Sequence, residues 1–227
     1  MPSQSDLRYS FQPLAADIEL EVVSFELKEA LGTPFQLTLE LISFYDDIDF
    51  AQLLDKPALF TIWDADRPVR YVHGLISSFR QGDSGFHRTR YHALVEPQLA
   101  RAGLRSNWRI FQQKTVPKIL ELMLQRQGIL RFDLSTGREH QIREFCVQAG
   151  ETDLDFIARL AAEEGFVYSF EHSPKQHKLI ITDRLLSLGL IRQGPIQIKD
   201  KHKGAYEAED AIHSEPVLYH VNSGGDQ

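Results

Sequence analysis

The sequence predicts an α+β chain that is mainly β, with an antiparallel barrel in front and a smaller helix–strand unit behind it. Three observations carry this. Apolar residues in the first hundred positions recur with a period of two, in short runs broken by Gly and Pro turns. After Pro97 the period lengthens to that of amphipathic helices. Helix, glycine and strand then follow one another twice, around residues 115–134 and 152–172.

Taken in order, Ile18, Leu20 and Val22 hold one phase, and Val23, Phe25 and Leu27 hold the other. A phase switch inside a strand is what a bulge or strong bend produces. Gly32-Thr33-Pro34 turns the chain into a second strand, where Phe35, Leu37, Leu39 and Leu41 alternate with polar residues. Asp49 to Asp55 reads as a short helical turn stopped by Pro57. Ala58 to Asp64 is a strand, and Asp66-Arg67-Pro68 a turn. Val69–Arg80 and Phe86–Val95 form a hairpin across Gln81–Gly85, with Gly74 permitting a bend mid-strand. Five or more sequential strands with short turns point to an antiparallel barrel.

Thr115 caps the first helix, and Pro117 sits in its first turn, where proline is tolerated. Val116, Ile119, Leu120, Met123 and Leu124 share one stripe. Gly128-Ile129 is the stop, and a strand runs from Ile129 to Leu134. Thr152 caps the second helix, with Asp155 three residues on in the manner of a capping box. Leu154, Ile157, Leu160 and Ala161 form its buried stripe, and Gly165-Phe166 its stop. Strands Phe166–His172 and His177–Thr182 follow, so the helices are expected to pack on one sheet. Beyond Leu185 the pattern fades into loop-like sequence and a Gly-rich end.

The 227 residues are 42% hydrophobic and 25% charged, a composition that excludes a disordered chain, a fibre or a disulfide scaffold. The single cysteine, Cys146, excludes an internal disulfide and a four-cysteine zinc site. No basic-then-apolar leader opens the chain, so no Sec signal is read, and no apolar run is long enough to span a membrane. Net charge is −7, unevenly spread: −9 over residues 1–65, +7 over 66–118 and −5 over 119–227. The basic block holds Arg80, Arg88, Arg90, Arg101, Arg105 and Arg109 without any nucleic-acid motif, so no nucleic-acid partner is expected. Complementary blocks fit charged faces meeting within a subunit or between subunits. Arg88 and Arg90 are the candidate subunit contacts.

The clustered acids Glu151, Asp153, Asp155, Glu163 and Glu164 raise the possibility of a hydrolase carboxylate pair. Helix capping and solvation account for them as well. His172 and His177 lie five apart without an evident third ligand, so no metal or other cofactor is expected. Cys146 falls in an alternating strand and reads as a buried small hydrophobe rather than a reactive thiol. Trp63, Trp108 and Phe111 read as core or interface.

Arg143-Glu-Phe-Cys-Val-Gln148, Glu151-Thr-Asp-Leu-Asp-Phe-Ile-Ala-Arg-Leu160 and Ala161-Ala-Glu-Glu-Gly-Phe166 together resemble the signature of VgrG, the spike protein of type VI secretion. The positions that carry the motif are Cys146, Gln148, Glu151, Thr152, Asp153, Phe156, Arg159, Leu160, Glu163, Glu164 and Gly165. Gly74–Phe79, Tyr91–Pro97, Trp108–Gln112 and Tyr168–His172 also match, in order, over roughly residues 15–185. Ala149 and Ala162 depart from the usual tyrosine and glutamate.

The resemblance implies a tube-type barrel over 1–100, an α/β baseplate-like insert over 101–184, and a linker with the start of a second barrel over 185–227. It implies a non-enzymatic hub that forms a homotrimer with pseudo-sixfold symmetry, caps the Hcp tail-tube hexamer and carries effectors or adaptors. Such a hub is assembled in the cytoplasm and leaves through the type VI apparatus, without stable membrane insertion. A contractile phage-tail hub shares this fold, and a cell-wall hydrolase module is the remaining alternative.

Overall fold

The computed structural model describes residues 7–85, 87–184 and 217–222. Strands β1 (Leu7–Pro13), β2 (Glu21–Ala30), β3 (Thr33–Ser43), β4 (Pro57–Asp64), β5 (Arg67–Ser84) and β6 (Thr89–Glu96) form most of one antiparallel sheet. Their spatial order is β1-β4-β5-β6-β3-β2. A single bridge, Phe11 to Leu20, ties the β1 edge to the approach of β2, so the sheet curls back on itself. The period-two residues fill the curl. Phe35, Leu37, Leu39 and Leu41 of β3 meet Phe60 of β4 and Tyr91 and Val95 of β6 in one apolar core. Each such side chain contributes about 1.5–3 kcal/mol by leaving water.

The phase switch in β2 is a register shift between Val22 and Ser24. Gly74 serves close approach: a Cβ there would meet Val95 Cγ1 at 2.6 Å and the Glu96 carbonyl at 2.8 Å. The sequence reading began its strands at Ile18 and missed β1. Leu7, Tyr9 and Phe11 do alternate with Arg8, Ser10 and Gln12, and β4 pairs with the full length of the strand.

The second unit contains β7 (Ser106–Lys114), α1 (Val116–Arg126), β8 (Phe132–Ser135), β9 (Arg143–Thr152), α2 (Asp153–Glu164), β10 (Val167–His172) and β11 (His177–Thr182). The expected single sheet is two: an antiparallel β7–β9 pair, and a three-stranded sheet in which β11 lies antiparallel to β10 and parallel to β8. Both sheets and both helices share one core. The strand expected from Ile129 starts only at Phe132. Gly128 takes the left-handed conformation, at φ 70°, and Ile129 bonds back to the Leu124 carbonyl, which closes α1 before the chain extends. Phe170 packs against both cores and meets Phe35 edge-on at 5.4 Å.

Nearly all of 185–227 lies outside the described residues, including the loop-like stretch 185–216. The exception is β12 (Val217–Asn222), which pairs antiparallel with β2. These six residues join the first sheet, and the rest of the linker and second barrel expected over 185–227 falls outside the described residues.

Candidate functional site

The motif residues converge on the junction of β9 and α2. Thr152 ends β9 and caps α2: its hydroxyl accepts from the Asp155 N–H at 3.0 Å and pairs with the Asp155 carboxylate at 2.7 Å. Gly165 closes the helix in the left-handed region, at φ 75°. Between these caps, Phe156 and Leu160 are buried, and Phe156 stacks on Phe111 at 5.7 Å. Cys146 and Gln148 lie on the same inward face of β9, and both are buried. Burial pushes the Cys146 thiol up, so it is not poised as a thiolate.

Asp153 is 1% exposed and is the centre of a buried polar cluster. It accepts from Asn107 at 3.0 Å, Arg109 at 2.5 Å, Gln127 at 2.6 Å and Gln148 at 2.8 Å. Its own N–H donates to the Arg105 carbonyl at 3.0 Å. Burial pushes its carboxyl upward, but the bonds from Gln148, Arg109 and Asn107 outweigh that and hold it below the ordinary range. One carboxylate thereby joins β7, α1, β9 and α2.

The other acids are not simply solvated, as the sequence reading had them. Arg159 bonds Glu151, Glu163 and the Val147 carbonyl, and lies 5.3 Å over the Phe156 ring. Arg143 bonds Glu163 at 2.6 Å and Glu164 at 2.8 Å. His140, 2% exposed, meets Glu164 at 2.8 Å and stacks on Phe166. The Arg143 bond, chiefly, holds Glu163 below its ordinary value; burial works against Glu164, which the His140 and Arg143 bonds bring down. Carboxylates so engaged are ionised struts, not a proton donor facing a base.

A third histidine escaped the sequence reading. His73, on β5, joins His172 and His177 where the barrel meets the second unit. Its N–H donates to His172 Nδ1 at 3.1 Å, and its Nδ1 lies 3.2 Å from His177 Nδ1. His177 Nε2 accepts from the Gln98 N–H, which assigns the His177 proton to Nδ1. Backbone donors therefore claim nitrogens that a metal would need. Among the described residues no group of three or more His, Cys, Asp or Glu could hold a metal ion. Burial drives the pKa of His172 down to about 3 and of His177 to about 4.

The candidate subunit contacts, Arg88 and Arg90, each have an acidic partner within the chain. Arg88 pairs with Glu21 at 2.7 Å and covers the Phe44 ring, and Arg90 pairs with Glu40. Arg70–Glu29 and Arg101–Asp55 repeat the pattern. The basic block meets the acidic block inside one chain, on neighbouring strands for Arg90 and Glu40 and between non-adjacent strands of the curled sheet for Arg70 of β5 and Glu29 of β2.

The sequence reading also missed Asn107, Arg109 and Gln127 as partners of Asp153. A usable signal was present: Arg109 and Gln148 occupy the inward phase of their strands beside Phe111 and Cys146. A polar residue in an apolar phase implies a buried partner.

Comparison with known proteins accounts for the arrangement. The family model described as phage tail baseplate hub (GPD) matches residues 28–224. The type VI secretion system spike proteins VgrG2a and VgrG2b of Pseudomonas aeruginosa are each 47% identical over 201 residues, 88% of this chain. The chain spans 24% and 20% of their lengths, about a quarter or less. A solved Escherichia coli protein, c3393, is 27% identical with a TM-score of 0.72, over 77% of this chain and 49% of that one. It is described as a type VI secretion component structurally similar to the bacteriophage T4 tail proteins gp27 and gp5. The chain belongs to the phage tail baseplate hub family, as a VgrG-type member.

Proposed function

We propose that this chain is the hub portion of a type VI spike and that three copies close into a pseudo-sixfold ring seated on the Hcp tail tube. The observation that supports this most is the 47% identity to named type VI spike proteins across 88% of the chain. The role is structural. The barrel supplies a wall, the β9–α2 junction stiffens the second unit, and no step of bond making is assigned to either. Effectors or adaptors ride on the assembly, which forms in the cytoplasm and leaves through the type VI apparatus. Closed rings of identical chains join unlike patches head to tail.

The test is solution mass with Hcp present. Three chains of 26.0 kDa each together with one retained Hcp hexamer make up the expected mass. A monomer that leaves Hcp unbound would overturn the ring. The family model's phage-tail description favours one second reading, a hub of a contractile phage tail. Retention of a phage tube protein in place of Hcp would decide for it.

A further inference from the structure

The β7–β9 sheet has two faces of opposite character. Arg109, Phe111, Cys146 and Gln148 face the helices. Trp108, Ile110, Phe145 and Val147 face out, with Trp108 78% and Ile110 66% exposed. They form a contiguous patch, since Ile110 stands opposite Val147 and Gln112 opposite Phe145. The two edges of this sheet also differ. On β9, Arg159 reaches the Val147 carbonyl at 3.1 Å, which places that carbonyl on the outer edge. Backbone groups alternate between the edges of an antiparallel pair, so the N–H and C=O of Ile110 and Gln112 face the outer edge of β7. They have no partner among the described residues.

Unprotected apolar edges are rare in folded proteins, which blunt them with charge, proline or a covering element. Here a groove of about 510 Å³ runs along the edge instead, between Ile110, Gln112 and Lys114 on β7 and Leu122 and Arg126 on α1. Lys114 and Arg126 appear in no ion pair among the described residues, whereas Arg143 and Arg159 nearby are saturated with glutamates.

We propose that the β7 edge is a docking site that takes an extended segment of a partner protein by strand addition, and that this segment alternates apolar and acidic side chains. Its backbone bonds Ile110 and Gln112. Its outward side chains pack laterally on Ile110 and Trp108, and its inward ones enter the groove toward Lys114 and Arg126. Main-chain bonds supply affinity in this mode, and the alternating side chains supply specificity. The site does not depend on the ring proposed above.

The test uses the whole 227-residue chain and a labelled peptide of about eight residues alternating valine and glutamate, with a valine–lysine peptide as control. In the free chain the Ile110 and Gln112 amides should exchange rapidly, and the acidic peptide should slow both. Lys114→Glu with Arg126→Glu should weaken binding by about tenfold or more. Gln112→Pro should abolish it, because proline removes an outward N–H without touching the β9 ladder. The charge-reversed variant keeps the test open should Gln112→Pro unfold. Three results would overturn the proposal: amides already slow in the free chain, protection that rises with chain concentration alone, or binding unchanged by the charge reversal.

Discussion

The barrel and the β9–α2 junction are stabilised by different physics. The barrel core is built on apolar and aromatic side chains, in contacts such as Phe25–Phe60 at 4.7 Å and Phe79–Tyr91 at 5.3 Å, while its ion pairs lie outside. Inside the second unit a carboxylate sits at the centre with four side-chain donors around it. An apolar core tolerates volume-conserving exchange. A buried charge cluster tolerates almost none, because removing one member strands the others. The junction is therefore the part that fixes one geometry, which fits its carrying the densest motif.

The largest expected effects test that contrast directly. Phe60→Ala should cost about 3–5 kcal/mol by urea unfolding, as a cavity in the barrel. Asp153→Ala should cost a similar ~3–5 kcal/mol through Arg109 and Gln148 left unpaired. The two should part on conservative exchange: Phe60→Leu keeps most of the stability, and Asp153→Asn does not. An Asp153→Asn variant as stable as the parent would break the comparison.

The histidine cluster at the seam of the two units comes next. Its rings are held neutral by burial, with Arg70 and Arg131 nearby adding to the effect and Glu29 lying 3.8 Å from His172. The unfolded chain takes up these protons first, near pH 6.5. The stabilisation is thus complete above about pH 6.5 and is lost as the pH falls toward 4 and then 3. Stability should therefore fall steadily over that window. Asp153, Glu163 and Glu164 titrate below their ordinary range, so the upper part of the loss is assigned to the histidines. His172→Phe should flatten it, and a melting temperature unchanged from pH 7 to 5 would contradict the assignment.

Smaller effects sharpen the comparison. Thr152→Ala should cost about 1 kcal/mol and raise amide exchange in the first turn of α2. Arg88→Glu should cost no more than about 1 kcal/mol, since the Arg88–Glu21 pair is exposed, and Glu21→Arg in the same chain should restore it. Loss of assembly in the single variant with recovery in the double one would trace the effect to this internal pair and not to a subunit contact.

Local patterning made much of this legible. Alternation exposed β3, β4 and β6 because each buries one face. Caps and stops located α2 to the residue. Strand β7 was passed over because its outward face is as apolar as its inward one, so its period is blurred. The cluster around Asp153 draws on residues 107, 109, 127 and 148, and no local rule links positions so far apart. The same holds for His73, which lies 99 residues from His172.

The sequence by itself determined most of the elements, the fold class and the family motif, because caps, turns and hydrophobic period act within a few residues of one another. Only the tertiary structure decided which charges meet, which histidines share a proton network and which strand edge stays open. Those outcomes depend on chain returns across 40 to 100 positions, where a one-residue change of register moves a side chain to the opposite face.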